Sequence, residues 1–170
     1  MKKPGSSLYR TITGRTLDLN KLTRKERPFI AHVLGFYKDS VEWSRFAALW
    51  VREFEKRGLE ANGLAYRICQ DMEARLGIAQ GKVAPPDYRD YLADLIEEKY
   101  GSRYKFCKET GVDPGHLSRV FRSRADLSLS ALEKLLHALG AALVVQPEDA
   151  LKANTSPDEA GRILAGVAGH

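Results

Sequence analysis

Basic side chains cluster between residues 103 and 124 of the 170-residue chain. They are Arg103, Lys105, Lys108, Arg119, Arg122 and Arg124, against the acidic residues Glu109 and Asp113, which gives this stretch a net charge of +4. Guanidinium and ammonium groups bind phosphate oxygens, and the arginine fork also matches the hydrogen-bonding edge of guanine. The cluster therefore indicates recognition of nucleic acid, although such clusters are also typical of a surface that is only solvated.

The first element expected to carry these charges is a short helix that begins after Ser102. Serine is a favourable N-cap residue, and Phe106 and Cys107 follow at the spacing of a buried helix face. Gly111 then permits the left-handed backbone conformation in which many helices end. The segment predicts one short helix and a sharp turn.

A second helix is predicted directly after this turn. Asp113 can accept a hydrogen bond from the helix start, and Pro114 has the backbone angle of a first helical residue. Leu117, Val120 and Phe121 then mark its buried face. With the small residue Cys107 at the point where the helices meet, the pattern is that of a helix-turn-helix.

Two further helices are expected to enclose this pair. One begins at Ser128 and ends at Gly140, and its predicted buried residues are Leu129, Leu132, Leu135, Leu136 and Leu139. The other covers residues 88 to 100 and is acidic, because residues 87 to 100 hold five carboxylates against two basic side chains. We expect the acidic helix to face away from nucleic acid, since its charge would repel phosphates.

The segment resembles the Cro/repressor type of helix-turn-helix, the XRE family of transcriptional regulators, over roughly residues 87 to 145. The resemblance rests on the small residue Cys107, the Gly-Val pair at 111–112, the Leu-Ser-Arg-Val run at 117–120 and the Asp-Leu-Ser-Leu run at 126–129. It implies a DNA-binding domain of four or five helices. Residues 114 to 122, approximately, would be the recognition helix in the major groove.

The resemblance also implies roles for single residues. Ser102, Arg103 and Arg122 match positions that bind backbone phosphates, and Arg119 matches an exposed position that reads base edges. The complete candidate DNA-binding set is Ser102, Arg103, Gly115, His116, Ser118, Arg119, Arg122 and Arg124.

Two residues depart from the family pattern at the start of the recognition helix. Pro114 and Gly115 stand where relatives often have amide or hydroxyl side chains that contact bases. Either the backbone approaches the duplex closely here, or readout is limited to Arg119, His116 and Ser118.

The remainder of the chain is predicted to have three parts. Residues 1–22 form a basic flexible arm, because residues 1–27 hold eight basic against two acidic side chains; such an arm either contacts DNA or only aids solubility. Residues 23–80 form three helices with apolar stripes, which either pack on one another or leave surface for dimerisation or partner binding. Residues 146–170 form a partly disordered tail.

These parts define a mainly helical, all-α fold with a three-helix N-terminal region and a helix-turn-helix domain at 87–145. A short C-terminal β-strand is considered at residues 142–145. The helix near residue 26 begins either with a capping box of Thr23 and Glu26 or with Pro28 as its first helical residue.

Several classes of protein are not supported by the sequence. The two cysteines form no disulfide framework, and the start of the chain lacks the apolar stretch of a signal peptide, so we expect a cytoplasmic protein without membrane contact. The four histidines have no metal-ligand spacing and no nucleophile motif is present. We therefore expect no enzymatic activity, catalytic residue, metal or cofactor.

The sequence favours a DNA-binding transcriptional regulator that acts as a homodimer on double-stranded DNA. One alternative is an antitoxin, in which the N-terminal helices or the tail bind a toxin while the motif regulates the operon. The other alternative is a protein-interaction module without DNA binding.

Overall fold

The computed structural model describes residues 8–37, 41–123, 125–145, 147, 149 and 156–168. The protein is mainly helical, as the sequence predicts, with a small two-stranded sheet. It divides into two compact units: the first comprises Met1–Pro85 and Glu148–His170, and the second comprises Pro86–Pro147. The second unit is therefore an insertion in the sequence of the first.

The first unit begins with β1 (Leu8–Arg10), β2 (Thr16–Asp18), a short 3-10 helix (Leu19–Lys21), α1 (Glu26–Tyr37), α2 (Trp43–Lys56) and α3 (Leu64–Ala79). The second unit contains α4 (Tyr88–Tyr100), α5 (Arg103–Thr110), α6 (Pro114–Phe121) and α7 (Leu129–Ala138). The chain then returns to the first unit with α8 (Pro157–Ala168).

The aromatic stripe of α2 packs inside the first unit. Trp50 and Phe54 are buried, and their rings lie 5.5 and 5.3 Å from the ring of Tyr66 on α3. The indole N–H of Trp50 donates to Glu73 at 2.7 Å, so its polar atom is also satisfied within the unit. These two side chains are therefore used in intramolecular packing.

The capping box at the start of α1 is present. The Thr23 amide donates to Glu26 Oε2 at 2.8 Å, and the Glu26 amide donates to the Thr23 hydroxyl at 3.2 Å. Glu26 Oε1 also accepts from the amide of Ala65, in the first turn of α3. Burial raises the pKa of the Glu26 carboxyl, but the hydrogen bonds from Thr23 and Ala65 together hold it below its ordinary value. One charged carboxylate thus joins the starts of α1 and α3.

Residues 8–22 do not form the predicted flexible arm. The two strands pair antiparallel, with Tyr9 opposite Leu17, and Tyr9, Leu17, Leu19 and Leu22 are buried in the core of the first unit. The prediction was wrong because it relied on the net charge of the segment. The burial of its apolar side chains against helices later in the chain offsets the entropy cost of ordering it. Residues 1–7 lie outside the described part of the chain.

A buried ion pair on α3 joins the hairpin to the end of the chain. Asp71 Oδ2 accepts from Arg75 Nε at 2.7 Å and from the Tyr9 hydroxyl at 2.5 Å. Arg75 donates onward to the carbonyl oxygens of Arg10 and Ser156. Burial, followed by the charge of Asp71, raises the pKa of Tyr9, so the phenol stays protonated and donates.

The tail is also more ordered than predicted. Helix α8 packs against α1 and α3, and Ala160 and Leu164 are completely buried. Partial disorder was predicted from the acidic or neutral charge of the tail, which has only a weak helical pattern at residues 157–167. Two buried positions one turn apart nevertheless suffice to dock this helix on an existing core. Residues 150–155, 169 and 170 belong to the predicted tail but lie outside the described residues.

The strand considered at residues 142–145 is not formed. These residues have no regular secondary structure, and Leu143, Val144 and Val145 are exposed, Val145 to 93%. The described strands lie in the other unit at residues 8–18, so the described part of the second unit offers no strand edge for pairing.

Within the described residues, no helix combines the length and the hydrophobicity needed to cross a lipid bilayer.

We predict that Leu164→Ala lowers the free energy of unfolding of the first unit by about 2–5 kcal/mol, because it leaves a cavity between α8 and the core. Arg162→Ala on the exposed side of the same helix is the matched control, with an expected change within about 0.5 kcal/mol. Urea unfolding followed by tryptophan fluorescence measures both, since Trp43 and Trp50 lie in the first unit. Equal stability of the two variants would contradict the docking of α8.

Candidate nucleic-acid interface

The four helices of the second unit share one apolar core. Its buried members are Leu92, Ile96, Phe106, Cys107, Leu117, Leu132, Leu135, Leu136 and Leu139. Leu129, which the sequence analysis placed in this core, is instead 61% exposed. It directly follows the N-cap Ser128, one turn before the buried face of α7 begins at Leu132. The core fixes α5 and α6 against α4 and α7.

The turn between α5 and α6 has the predicted geometry. Ser102 caps α5 by accepting from the Lys105 amide at 3.2 Å. Gly111 adopts a left-handed conformation with φ of +74°, and its amide donates to the carbonyl of Cys107 at 2.9 Å. A side chain at Gly111 would meet no atom within 4 Å, so glycine is required there by backbone strain and not by space.

Helix α6 covers the predicted recognition helix, with Arg122 as its C-cap. Asp113 caps its start by accepting from the His116 amide at 2.5 Å, and Pro114 stands in its first turn. Leu117 and Val120 are buried, whereas Phe121, which was also predicted on the buried face, is only half-buried. One face of α6 thus packs inside the second unit, and the opposite face is accessible to a ligand.

A contact that the sequence analysis did not predict fixes the C-terminal end of α6. Arg89 of α4 donates from Nε to the carbonyl of Val120 at 3.0 Å. Its guanidinium also pairs with Asp87 at 2.6 Å and with Asp126, and it lies over the ring of Tyr88. Two carboxylates near α6 are thereby paired with a cation, which reduces the repulsion that they would exert on a phosphate.

The structure places most candidate residues on the outer surface of α5 and α6. Ser102, Arg103, Gly115, Arg119 and Arg122 are exposed, whereas His116 and Ser118 are half-buried. Arg124 lies outside the described residues. The candidates that the structure describes thus lie along the turn and its two helices.

Two of these arginines have defined positions. The guanidinium carbon of Arg103 lies 4.0 Å from the centre of the Phe121 ring, which joins the start of α5 to the end of α6. Arg119 Nη1 lies 3.8 Å from the point that a Cβ atom of Gly115 would occupy. The guanidinium of Arg119 therefore folds back along α6 over the glycine.

The cations on this surface are not neutralised by described neighbours. Among the described residues, no carboxylate forms a salt bridge with Arg103, Arg119 or Arg122. Asp113 does place one carboxylate at the start of α6, where its charge is partly compensated by the hydrogen bond from the His116 amide. Exposed and unpaired guanidinium groups are available to an external anion.

Tyr104 is a further residue that the sequence analysis missed. It stands between Arg103 and Lys105 in the first turn of α5, and it is 75% exposed. The sequence contains an indication of this exposure, because an aromatic residue between basic ones on the outward face of a helix has no core to pack against. Its hydroxyl is a donor of the kind that contacts phosphates in protein–DNA complexes.

The site has no features of a metal centre in the described part of the chain. No three His, Cys, Asp or Glu side chains there approach closely enough to hold a metal ion. Cys107 is buried beside the turn, and burial, followed by the charge of Asp113, raises the pKa of its thiol. A protonated, buried thiol at this position acts as a small packing residue.

Comparisons of this chain with protein-family models, with curated proteins and with solved structures find no match. The functional interpretation of the surface therefore rests on its geometry and its charge.

We predict opposite effects of alanine at the two glycines of the motif. Gly111→Ala should destabilise the second unit by roughly 1–2 kcal/mol, the cost of a left-handed residue with a side chain. Gly115→Ala should stabilise it by about 0.4–1 kcal/mol, because the position is helical and the nearest atom is 3.4 Å from the new Cβ. Thermal unfolding of both variants, followed by circular dichroism, tests the pair. Wild-type stability of Gly111→Ala would show that the turn is not in the left-handed conformation, and a loss of stability in Gly115→Ala would show that this position does not accept a side chain.

Proposed function

We propose that the protein is a DNA-binding transcriptional regulator of the XRE type. The observation that carries the proposal is the position of Arg119, exposed and unpaired among described residues on the face of α6 opposite the buried Leu117 and Val120. Helix α6 lies in the major groove, which is about 12 Å wide and accepts one helix. Occupancy of an operator by this helix is the regulatory step.

The phosphate contacts come from both ends of the motif. Ser102 and Arg103 lie at the start of α5, and Arg122 lies at the end of α6. Because the guanidinium of Arg103 lies over the ring of Phe121, the start of α5 lies close to the end of α6, where Arg122 follows Phe121. This arrangement supports contacts with the backbone on either side of the groove that α6 occupies.

Base recognition depends on Arg119 and on close approach at Gly115. To reach the O6 and N7 atoms of a guanine, the guanidinium of Arg119 leaves its position over Gly115 and extends into the groove. Gly115 is exposed and presents no side chain, so the start of α6 can approach the base edges closely. His116 and Ser118 are half-buried and serve as secondary contacts.

The proposal includes a homodimer. A single helix-turn-helix makes too few contacts for specific binding, and dimers place two motifs on half-sites about 34 Å apart.

The antitoxin alternative receives less support, because the apolar face of α8 is already buried in the first unit and is not open to a toxin. Salt-sensitive binding of duplex DNA distinguishes the regulator from an interaction module without DNA affinity.

Arg103→Ala is expected to weaken binding to all duplexes alike, since it removes a phosphate contact. The slope of log affinity against log salt should fall by about 0.9, the contribution of one phosphate. Fluorescence anisotropy with a labelled random-sequence duplex at several salt concentrations measures this slope. Arg52→Ala on the exposed side of α2 removes the same charge from the other unit and should leave the slope unchanged. If wild type binds with no salt dependence, the proposed function is wrong.

Arg119→Ala is expected to lower affinity for a selected site by ~1–3 kcal/mol while changing binding to random duplex little. The site is first obtained by selection of wild-type ligands from a random duplex library. Arg122→Ala is the matched control, because loss of a phosphate contact weakens both duplexes equally. Equal losses for Arg119→Ala on the two duplexes would exclude a role in base recognition.

A further inference from the structure

The contact between Arg103 and Phe121 has a geometry that bears on phosphate binding. The guanidinium carbon lies 4.0 Å from the ring centre, which is the distance of a stacked pair and not of an edge contact. Arg103 is the first residue of α5 and Phe121 the last of α6, so the pair spans the whole motif.

Phe121 has a different role from the other apolar residues of α6. Leu117 and Val120 are buried completely, whereas Phe121 is half-buried at the margin of the same core. Part of its surface packs against the core, and Arg103 covers a ring face. An aliphatic residue at this position would offer no flat surface to a guanidinium.

Stacking restricts Arg103 without occupying its donors. The five N–H groups of a guanidinium lie in its plane, so a ring on one face leaves them all available at the edge. Among described residues no carboxylate competes for these donors. A free arginine loses much side-chain entropy when it binds an anion, and an arginine already held on a ring loses less.

We propose that Phe121 is a positioning residue for DNA binding, because its ring holds the Arg103 guanidinium in the orientation that contacts a backbone phosphate. The inference rests on the proposed function and adds to it a residue that does not itself contact DNA. Phe121 acts only through Arg103, so its effect on binding disappears when Arg103 is absent.

The test is a double-mutant cycle on the full-length chain. Phe121→Leu and Phe121→Met remove the ring and keep an apolar side chain, and Phe121→Tyr keeps the ring. Each is combined with Arg103→Ala, and circular dichroism identifies the variants that retain the wild-type fold. The readouts are the salt slope with a labelled random-sequence duplex and, without DNA, the ring-current shift of the Arg103 Cδ protons in NMR spectra.

We expect Phe121→Leu and Phe121→Met to lower the salt slope toward the Arg103→Ala value, a decrease approaching 0.9, and to abolish the ring-current shift. Phe121→Tyr should retain both wild-type values. In the Arg103→Ala background, loss of the ring should cause no further change, whereas a purely structural role would give additive losses.

The outcomes separate this inference from the proposed function. If wild type binds duplex with the expected salt dependence but folded Phe121→Leu or Phe121→Met keeps the wild-type slope, the positioning role is overturned and the proposed function stands. Additive losses in the cycle overturn it in the same way. If wild type itself binds no duplex, both proposals fall together.

Discussion

The burial of one face of α6 determines what the rest of the second unit can do. A helix of eight residues is not stable alone, so α6 exists because Leu117 and Val120 pack against its neighbours. Its two ends are fixed by different means: Asp113 caps the start, and Arg89 binds the carbonyl of Val120 near the end. With one face and both ends fixed, the remaining face is rigid and outward. A rigid outward helix is the form that groove recognition requires.

Features that depend on neighbours along the chain were predictable from the sequence. The caps at Ser102, Asp113 and Ser128 and the capping box at Thr23 and Glu26 need only the residues within one turn, and all are present. The positive φ at Gly111 follows from the same local chemistry. The helices of the motif were therefore predicted at the correct positions. Arg119 is exposed, as the family resemblance implied.

Features that depend on residues far apart in the sequence were not predictable. The stacking of Arg103 on Phe121 and the bond from Arg89 to Val120 join different helices, and no spacing rule connects them. The hairpin at residues 8–18 was missed for a related reason. Its charge suggested a free arm, whereas Tyr9 and Leu17 are held by a core that forms from helices later in the chain. Whether a single apolar residue among charged ones is buried can be inferred only when its packing partners are known.

The discontinuity of the first unit has a consequence for the order of assembly. Arg75 donates to the Ser156 carbonyl, and Leu164 completes the core beside α1 and α3. Ser156 and Leu164 both follow the whole of the second unit in the chain. On the ribosome, residues 86–147 emerge before α8 does, so they can acquire their tertiary structure while the first unit still lacks a helix. The nascent first unit thus exposes the apolar docking site for α8 until that helix has emerged from the ribosome and packed against α1 and α3.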